Sequence, residues 1–203
     1  MLWDQGWEHG LLVVRALAMA VPAAVAIGIV AFRRPRLAAA ALGAAGALFT
    51  VPSLALFGFF VAPLGLGTKP AVAALAIYAL LPVLRNTLTG LGGVPDEVTE
   101  AARGMGMTDA QLLRSVWFPL ALPVIVAGVR VAAVTTVGIA TIAYLVAAGG
   151  LGRAVFDGLG AGERPQIVAG TMCIAALALA LDGFFALTER VLRRRFRPEA
   201  PAS

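Results

Sequence analysis

Side chains that bind metals, carry redox chemistry or shuttle protons are almost missing from this sequence. It has one cysteine, Cys173, and one histidine, His9, in 203 residues. A single cysteine excludes an intrachain disulfide and a cysteine-based metal site. His9 leaves little for imidazole chemistry, and beside Trp3 and Trp7 it is expected to be interfacial or solvated, with no metal. Charge is also scarce, at 13% of residues, where a soluble domain carries about 25%. No Gly-x-x-x-x-Gly-Lys-[Ser/Thr] occurs, so the chain has no phosphate-cradling loop of this type, and Gly65-Leu-Gly-Thr-Lys69 has neither the spacing nor the hydroxyl after lysine. An intramembrane hydrolase needs a nucleophile with its base, a zinc-binding His pair or two facing aspartates. Asp182 is the one aspartate deep in an apolar run, so no catalytic residue is assigned. No basic n-region precedes the first apolar run, and no cleaved leader is expected.

What the chain has is apolar length. It is 60% hydrophobic with a mean hydropathy of +0.90, which marks an integral membrane protein. Its runs are continuous and rich in Ala, Leu and Val, without the alternation of barrel strands, so the expected fold is all-α and polytopic. Five spans are predicted, at 11–32, 37–63, 70–91, 120–148 and 165–187, within a single transmembrane domain covering 1–203. A net charge of +5 is compatible with nucleic acid, but the basic residues lie at the ends of apolar runs and form no stripe. They read as topology determinants. Arg33, Arg34, Arg36, Arg85, Arg103, Arg114, Arg190, Arg193, Arg194, Arg195 and Arg197 fall on one side, against Arg15, Lys69, Arg153 and Arg164 on the other. The predicted topology is N-out and C-in.

Several polar positions interrupt the runs. Pro52 is expected to kink the second span into one bent helix, with a re-entrant segment as the alternative. Thr50, Pro52, Ser53, Tyr78, Asn86, Thr135, Thr136 and Thr141 are candidates for a translocation pathway; packing between helices is the alternative for them. Arg130 and Asp182 occur at similar depth in the fourth and fifth spans, and an intramembrane charge needs a partner, so the two are expected to pair. The glycine-rich stretches 149–152 and 158–162 are expected to be tight external turns. The arginine-rich tail reads as a cytoplasmic anchor, with binding to anionic membrane lipid as the alternative.

The segment 94–123 is the anomaly, because it places Asp96, Glu97, Glu100, Arg103, Asp109 and Arg114 between membrane-grade runs. Two short helices are predicted. Pro95 with Asp96 and Glu97 suits a helix start, and Gly104 and Gly106 break the helix. Thr-Asp-Ala-Gln at 108–111 fits a capping box, and Pro119 is expected to limit the second helix. Val98, Ala101, Ala102 and Met105 share one face at helical spacing, as do Leu112, Leu113 and Val116. A compact polar module outside the bilayer, in a chain with no energy-converting site, suits a transport subunit driven by a separate motor.

Glu100-Ala-Ala, Gly106 and Val116-Trp-Phe-Pro119 resemble the Glu-Ala-Ala…Gly…Ile-x-Leu-Pro signature of ABC-importer permeases. Thr50-Val-Pro-Ser, Tyr78-Ala-Leu-Leu-Pro, Glu100-Ala-Ala-Arg-Gly-Met-Gly and Ala148-Gly-Gly-Leu-Gly152 are similar to the osmoprotectant branch, which imports glycine betaine, carnitine and choline. Methionine-type permeases are the nearest cousins. Val146-Ala-Ala-Gly departs from the Ile-Gly-Ala-Gly usual in that branch. The resemblance implies a methionine-importer-like permease fold in a prokaryotic cytoplasmic membrane. It implies a second permease subunit, the same chain or a paralogue, and ATPase subunits that bind the ATP, so the chain itself carries no cofactor. A separate solute-binding protein is also implied. Glu100, Ala101, Ala102, Arg103, Gly104, Gly106 and Pro119 would form the coupling contact in the loop 94–119. Permeases for another small solute, and a non-transport scaffold, remain the alternatives.

Overall fold

The computed structural model describes residues 2–196, which are helical almost throughout, with no strand among them. Arg197 of the basic tail lies outside the described residues. α1 (Leu2–Ala31) begins well before the expected span and includes both exposed tryptophans. α2 (Pro35–Thr50) and α3 (Ser53–Leu64) follow, then α4 (Thr68–Gly92) and the short α5 (Asp96–Gly104). α6 (Asp109–Ala140) is one long helix, and the 3-10 turn Ile142–Val146 carries its chain onward. α7 (Gly152–Ala161) and α8 (Arg164–Phe196) complete the bundle.

Four helices, α1, α4, α6 and α8, are long and apolar enough to cross a membrane, and the α2–α3 pair makes a fifth crossing if its halves count together. α4 is the centre: it packs against α1 on one side and α6 on the other, and α8 lies against α6. The seams are built from small residues. Ala16, Ala20, Ala24 and Gly28 of α1 are buried, and a Cβ on Gly28 would lie 2.4 Å from a methyl carbon of Thr87. Close backbone approach is how helices associate where lipid removes the hydrophobic drive.

Three expectations need correction. The segment around Pro52 is not one bent helix: α2 and α3 meet at 95°. Proline cannot donate to the preceding turn, and the break at Val51 is stabilised by the Tyr78 hydroxyl, which donates to the Val51 carbonyl. Pro119 does not end a helix either. The chain runs on from Asp109 to Ala140 because residues Leu113–Trp117 form a π turn, with the Phe118 amide bonded to the Leu113 carbonyl. That wider turn relieves the clash a proline ring makes with the carbonyl four residues back. The stretch 158–162 is also more than a turn, since residues 158–161 end α7 and only Gly162, at φ +71, turns out of it.

Candidate functional site

The polar module is built from two capped ends. α5 starts after Pro95, with Asp96 and Glu97 in its first turn. It closes where Met107 N donates to Ala102 O (3.2 Å) and Gly106 N to Arg103 O (2.9 Å), with Gly106 at φ +82. This is a Schellman closure, and only glycine takes the left-handed position without strain. Met107 completes it by packing in the cluster that buries Ala102. Beyond it the capping box forms as expected: Thr108 N donates to Gln111 Oε1 (2.8 Å), and Gln111 N to Thr108 Oγ1 (3.4 Å).

The Glu-Ala-Ala triplet divides between two surfaces. Ala102 is 3% exposed, packed with Leu91, Leu112, Trp117, Ala121 and Ile125. It is small because it seats α5 on the bundle. Glu100 and Ala101 face away from the bundle, as do Arg103 and Gly104, and no described residue pairs with Glu100. Met105 leaves the face it was expected to share with Val98, because it lies in the turn, where it is 72% exposed. A free carboxylate, a small residue and a protruding thioether therefore form one exposed patch. By helical spacing Met105 belongs to the Val98 face, although its place between two breaker glycines signals a turn.

The module's other side is tied down. Asp109 accepts from Arg33 Nη1 (3.0 Å) and from Arg103 Nη2 (3.2 Å). Trp117 Nε1 donates to Thr99 Oγ1 (3.0 Å), while its ring meets Phe32 edge-on at 5.2 Å and lies under the Arg33 guanidinium at 5.4 Å. Residues just beyond α1, on α5 and on α6 thus converge. The sequence places Asp109 in the capping-box stretch and Trp117 in the Val116–Pro119 motif, and a one-dimensional pattern does not show Arg33 arriving at either.

Deeper in the bundle the structure brings Arg130 and Asp182 together. Arg130 donates from Nε to Oδ1 (2.6 Å) and from Nη2 to Oδ2 (2.7 Å), the bidentate geometry that satisfies both groups at once. Glu189 lies 3.9 Å from Arg130 Nη1 and 2.8 Å from Arg193, so the charges descend α8 as a ladder. Arg130, Asp182, Val131, Val134 and Thr135 line an open cleft of about 300 Å³.

The polar residues proposed for a pathway do not gather in one place within this chain. Thr50, Pro52 and Ser53 lie at the α2–α3 elbow with Tyr78, and Thr50 Oγ1 donates to Ala47 O (2.7 Å). Asn86 donates to Pro82 O (2.9 Å) and packs close to Gly128. Thr135 faces the charged cleft and donates to Val131 O (2.8 Å). Thr136 is fully buried, and its hydroxyl has no hydrogen-bond partner among the described residues. Thr141 is at the end of α6, its carbonyl packed on Gly152.

At the end of the bundle opposite the module, His9 corrects its expectation. It is 0% exposed, with Nε2 3.0 Å from the Val137 carbonyl and Nδ1 accepting from Leu151 N (3.3 Å). Val137 O can only accept and Leu151 N–H can only donate, so the ring carries its proton on Nε2. Glu8 accepts from Gly150 N (3.1 Å). Ala147, Gly149 and Gly150 take positive φ to bring those amides to α1. The glycines therefore serve close approach as well as turning.

Comparison with known proteins agrees with this architecture. Residues 20–197 match the model of the family described as "Binding-protein-dependent transport system inner membrane component". The chain is 42% identical over 196 residues to the carnitine transport permease protein OpuCB of Listeria monocytogenes, covering 97% of this chain and 88% of that one. It is 38% identical over 190 residues to the glycine betaine/carnitine/choline transport system permease protein OpuCB of Bacillus subtilis, covering 94% and 87%. Its fold superposes on a chain of the MetNI methionine ABC transporter, solved in inward-facing conformations, with a TM-score of 0.83 at 22% identity, covering 95% and 96%. The chain belongs to the binding-protein-dependent transport system inner membrane component family, as a multi-pass ABC-transporter permease of the inner membrane.

Proposed function

We propose that this chain is the permease subunit that moves a quaternary ammonium osmoprotectant of the glycine betaine, carnitine or choline class inward. The names of its relatives support the substrate class. The observation that carries the mechanism is the split face of the polar module, on which Glu100, Ala101 and Met105 are free while Ala102 and Trp117 are packed on the bundle. A small, protruding patch that carries the unpaired Glu100 carboxylate fits a groove on a separate subunit. In this reading the module is cytoplasmic, the N-terminus is outside, and the whole of 1–203 acts as one transmembrane unit. The groove belongs to an ATPase subunit that binds and hydrolyses ATP in place of this chain. A second permease, the same chain or a paralogue, completes the pathway, and a separate extracytoplasmic protein delivers the solute.

Glu100 supplies the charged contact and Met105 the apolar knob, while Gly106 shapes the turn that presents both. Arg103 and Gly104 lie at the margin of the contact. Pro119 acts further off, by setting the π turn that continues the module into α6. ATP binding brings the ATPase subunits together, and displacement of the docked modules rocks the bundles between outward and inward access. Thr50, Ser53, Tyr78, Asn86, Thr135, Thr136 and Thr141 are proposed for the pathway only in the assembled pair of permeases, with the Arg130–Asp182 pair as its structural tie.

The test uses the assembled permease–ATPase complex in vesicles. Radiolabelled glycine betaine, choline, carnitine and methionine are offered in parallel, and accumulation of one or more of the first three is expected. Glu100→Arg and Met105→Asp are expected to abolish ATPase co-purification or to cut ATP-driven uptake at least ten-fold. Normal uptake and normal ATPase association in both variants would sink the coupling assignment, and accumulation of methionine alone would sink the substrate class.

A further inference from the structure

α1 is held at both ends of the bundle. Just past its last turn, Arg33 bonds Asp109 at 3.0 Å and Phe32 meets Trp117, so the helix is fastened to the polar module. At its other end Glu8 and His9 hold the amides of Gly150 and Leu151, and His9 also reaches Val137 O. The two attachments are separated by a continuous helix from Leu2 to Ala31, whose stretch from Glu8 to its last residue is about 35 Å long at 1.5 Å per residue. Between them the buried seam runs through Ala16, Ala20, Ala24, Gly28 and Ala31. Small residues on such a seam permit the slight sliding by which packed helices shift.

The attachments differ in kind. The module end is an ion pair in which the Arg33 side chain is 48% and the Asp109 side chain 67% exposed, and one carboxylate serves two arginines. The far end is a set of hydrogen bonds to backbone amides in a loop that is already in a strained, left-handed conformation at Ala147. A pull on α1 therefore acts on a short loop whose backbone has little slack.

We propose that Asp109, acting through Arg33, is a positioning residue that makes α1 follow the polar module, so that a displacement of the module reaches the 147–151 loop at the opposite end. The proposal rests on the coupling reading above. It adds that one membrane-spanning helix carries the stroke, and it gives Arg33, Asp109, Glu8 and His9 places in one series.

The experiment measures solute taken up per ATP hydrolysed by the complete complex in vesicles, using as probe radiolabelled glycine betaine or whichever offered solute the wild type accumulates. Arg33→Gln is expected to leave ATPase co-purification and hydrolysis intact while uptake per ATP falls about five-fold, the size of a modest coupling between sites. Arg33→Lys, which keeps the charge, is expected to restore most of it. Arg34→Gln removes the neighbouring charge, which has no partner among the described residues, and is expected to stay near wild type. Adding Arg33→Gln to Asp109→Asn is expected to cost nothing further. Glu8→Ala breaks the series at its far end, and combined with Arg33→Gln it is expected to be no worse than the worse single variant. Normal uptake per ATP in Arg33→Gln overturns the proposal. So do losses that multiply in the Glu8/Arg33 double variant, because independent sites behave that way. Loss of the ATPase from the Arg33→Gln complex also overturns it, by making Arg33 a docking residue. Failure of the coupling reading itself is read separately, in Glu100→Arg that keeps its ATPase and normal uptake.

Discussion

The two ends of this bundle are held by opposite means. At the module end, exposed charges meet: Arg33 and Arg103 both pair with Asp109, with the Trp117 ring beneath Arg33. At the other end the buried His9 imidazole holds the Val137 carbonyl and the Leu151 amide, and the Glu8 carboxylate, on an exposed residue, holds the Gly150 amide. Exposed ion pairs contribute roughly 0–1 kcal/mol each and weaken in salt, whereas a buried polar group left without its partner costs about 1–3 kcal/mol. One end is thus adjustable and the other fixed. On the coupling proposal, force enters at the exposed contacts, and the hydrogen bonds at the far end pass the displacement of α1 to the 147–151 loop.

The difference can be broken from the firm end first. His9→Ala removes a fully buried ring and strands Leu151 N and Val137 O, so it is expected to destabilise the permease by about 3 kcal/mol, read as a large drop in the thermal-inactivation temperature of the solubilised complex. A variant as stable as wild type would mean that this end is not fixed. Gly106→Val comes next. It forces a β-branched residue to φ +82 and is expected to cost about 1–2 kcal/mol locally, exposing the 104–108 turn to protease while the rest of the bundle stays resistant. Asp109→Asn is expected to change thermal stability least, by less than about 1 kcal/mol, with the small difference disappearing at high ionic strength. If its effect equalled that of His9→Ala, the contrast between the ends would be lost.

Local chemistry made the module legible. Glu100-Ala-Ala, the glycines at 104 and 106 and the Thr108–Gln111 box each announce a short-range device, and each forms within a few residues of itself. Arg130 and Asp182 were legible for another reason: a charge in an apolar run demands a partner, and each run offered one. His9 was misread because burial depends on what packs over a residue, and the Val137 and Leu151 groups that enclose it are far away in sequence. Pro119 was misread because a proline was taken as a stop, where a single widened turn let the helix continue. Trp117 and Asp109 looked like local helix residues until α1 arrived beside them.

Composition, apolar run length and the placement of arginine were enough to establish a helical membrane protein with a polar module, because these depend on the solvent each segment meets and not on its neighbours. The capping and turn chemistry was equally self-contained. Tertiary structure decided which side of the module is free, since Ala102 turns to the bundle and Glu100 away only once α5 is seated on Trp117 and Leu112. It also decided that α2 and α3 meet at 95°, and that α1 joins the two ends. Those results depend on contacts between residues distant in the chain, whose energies exist only after the helices have packed.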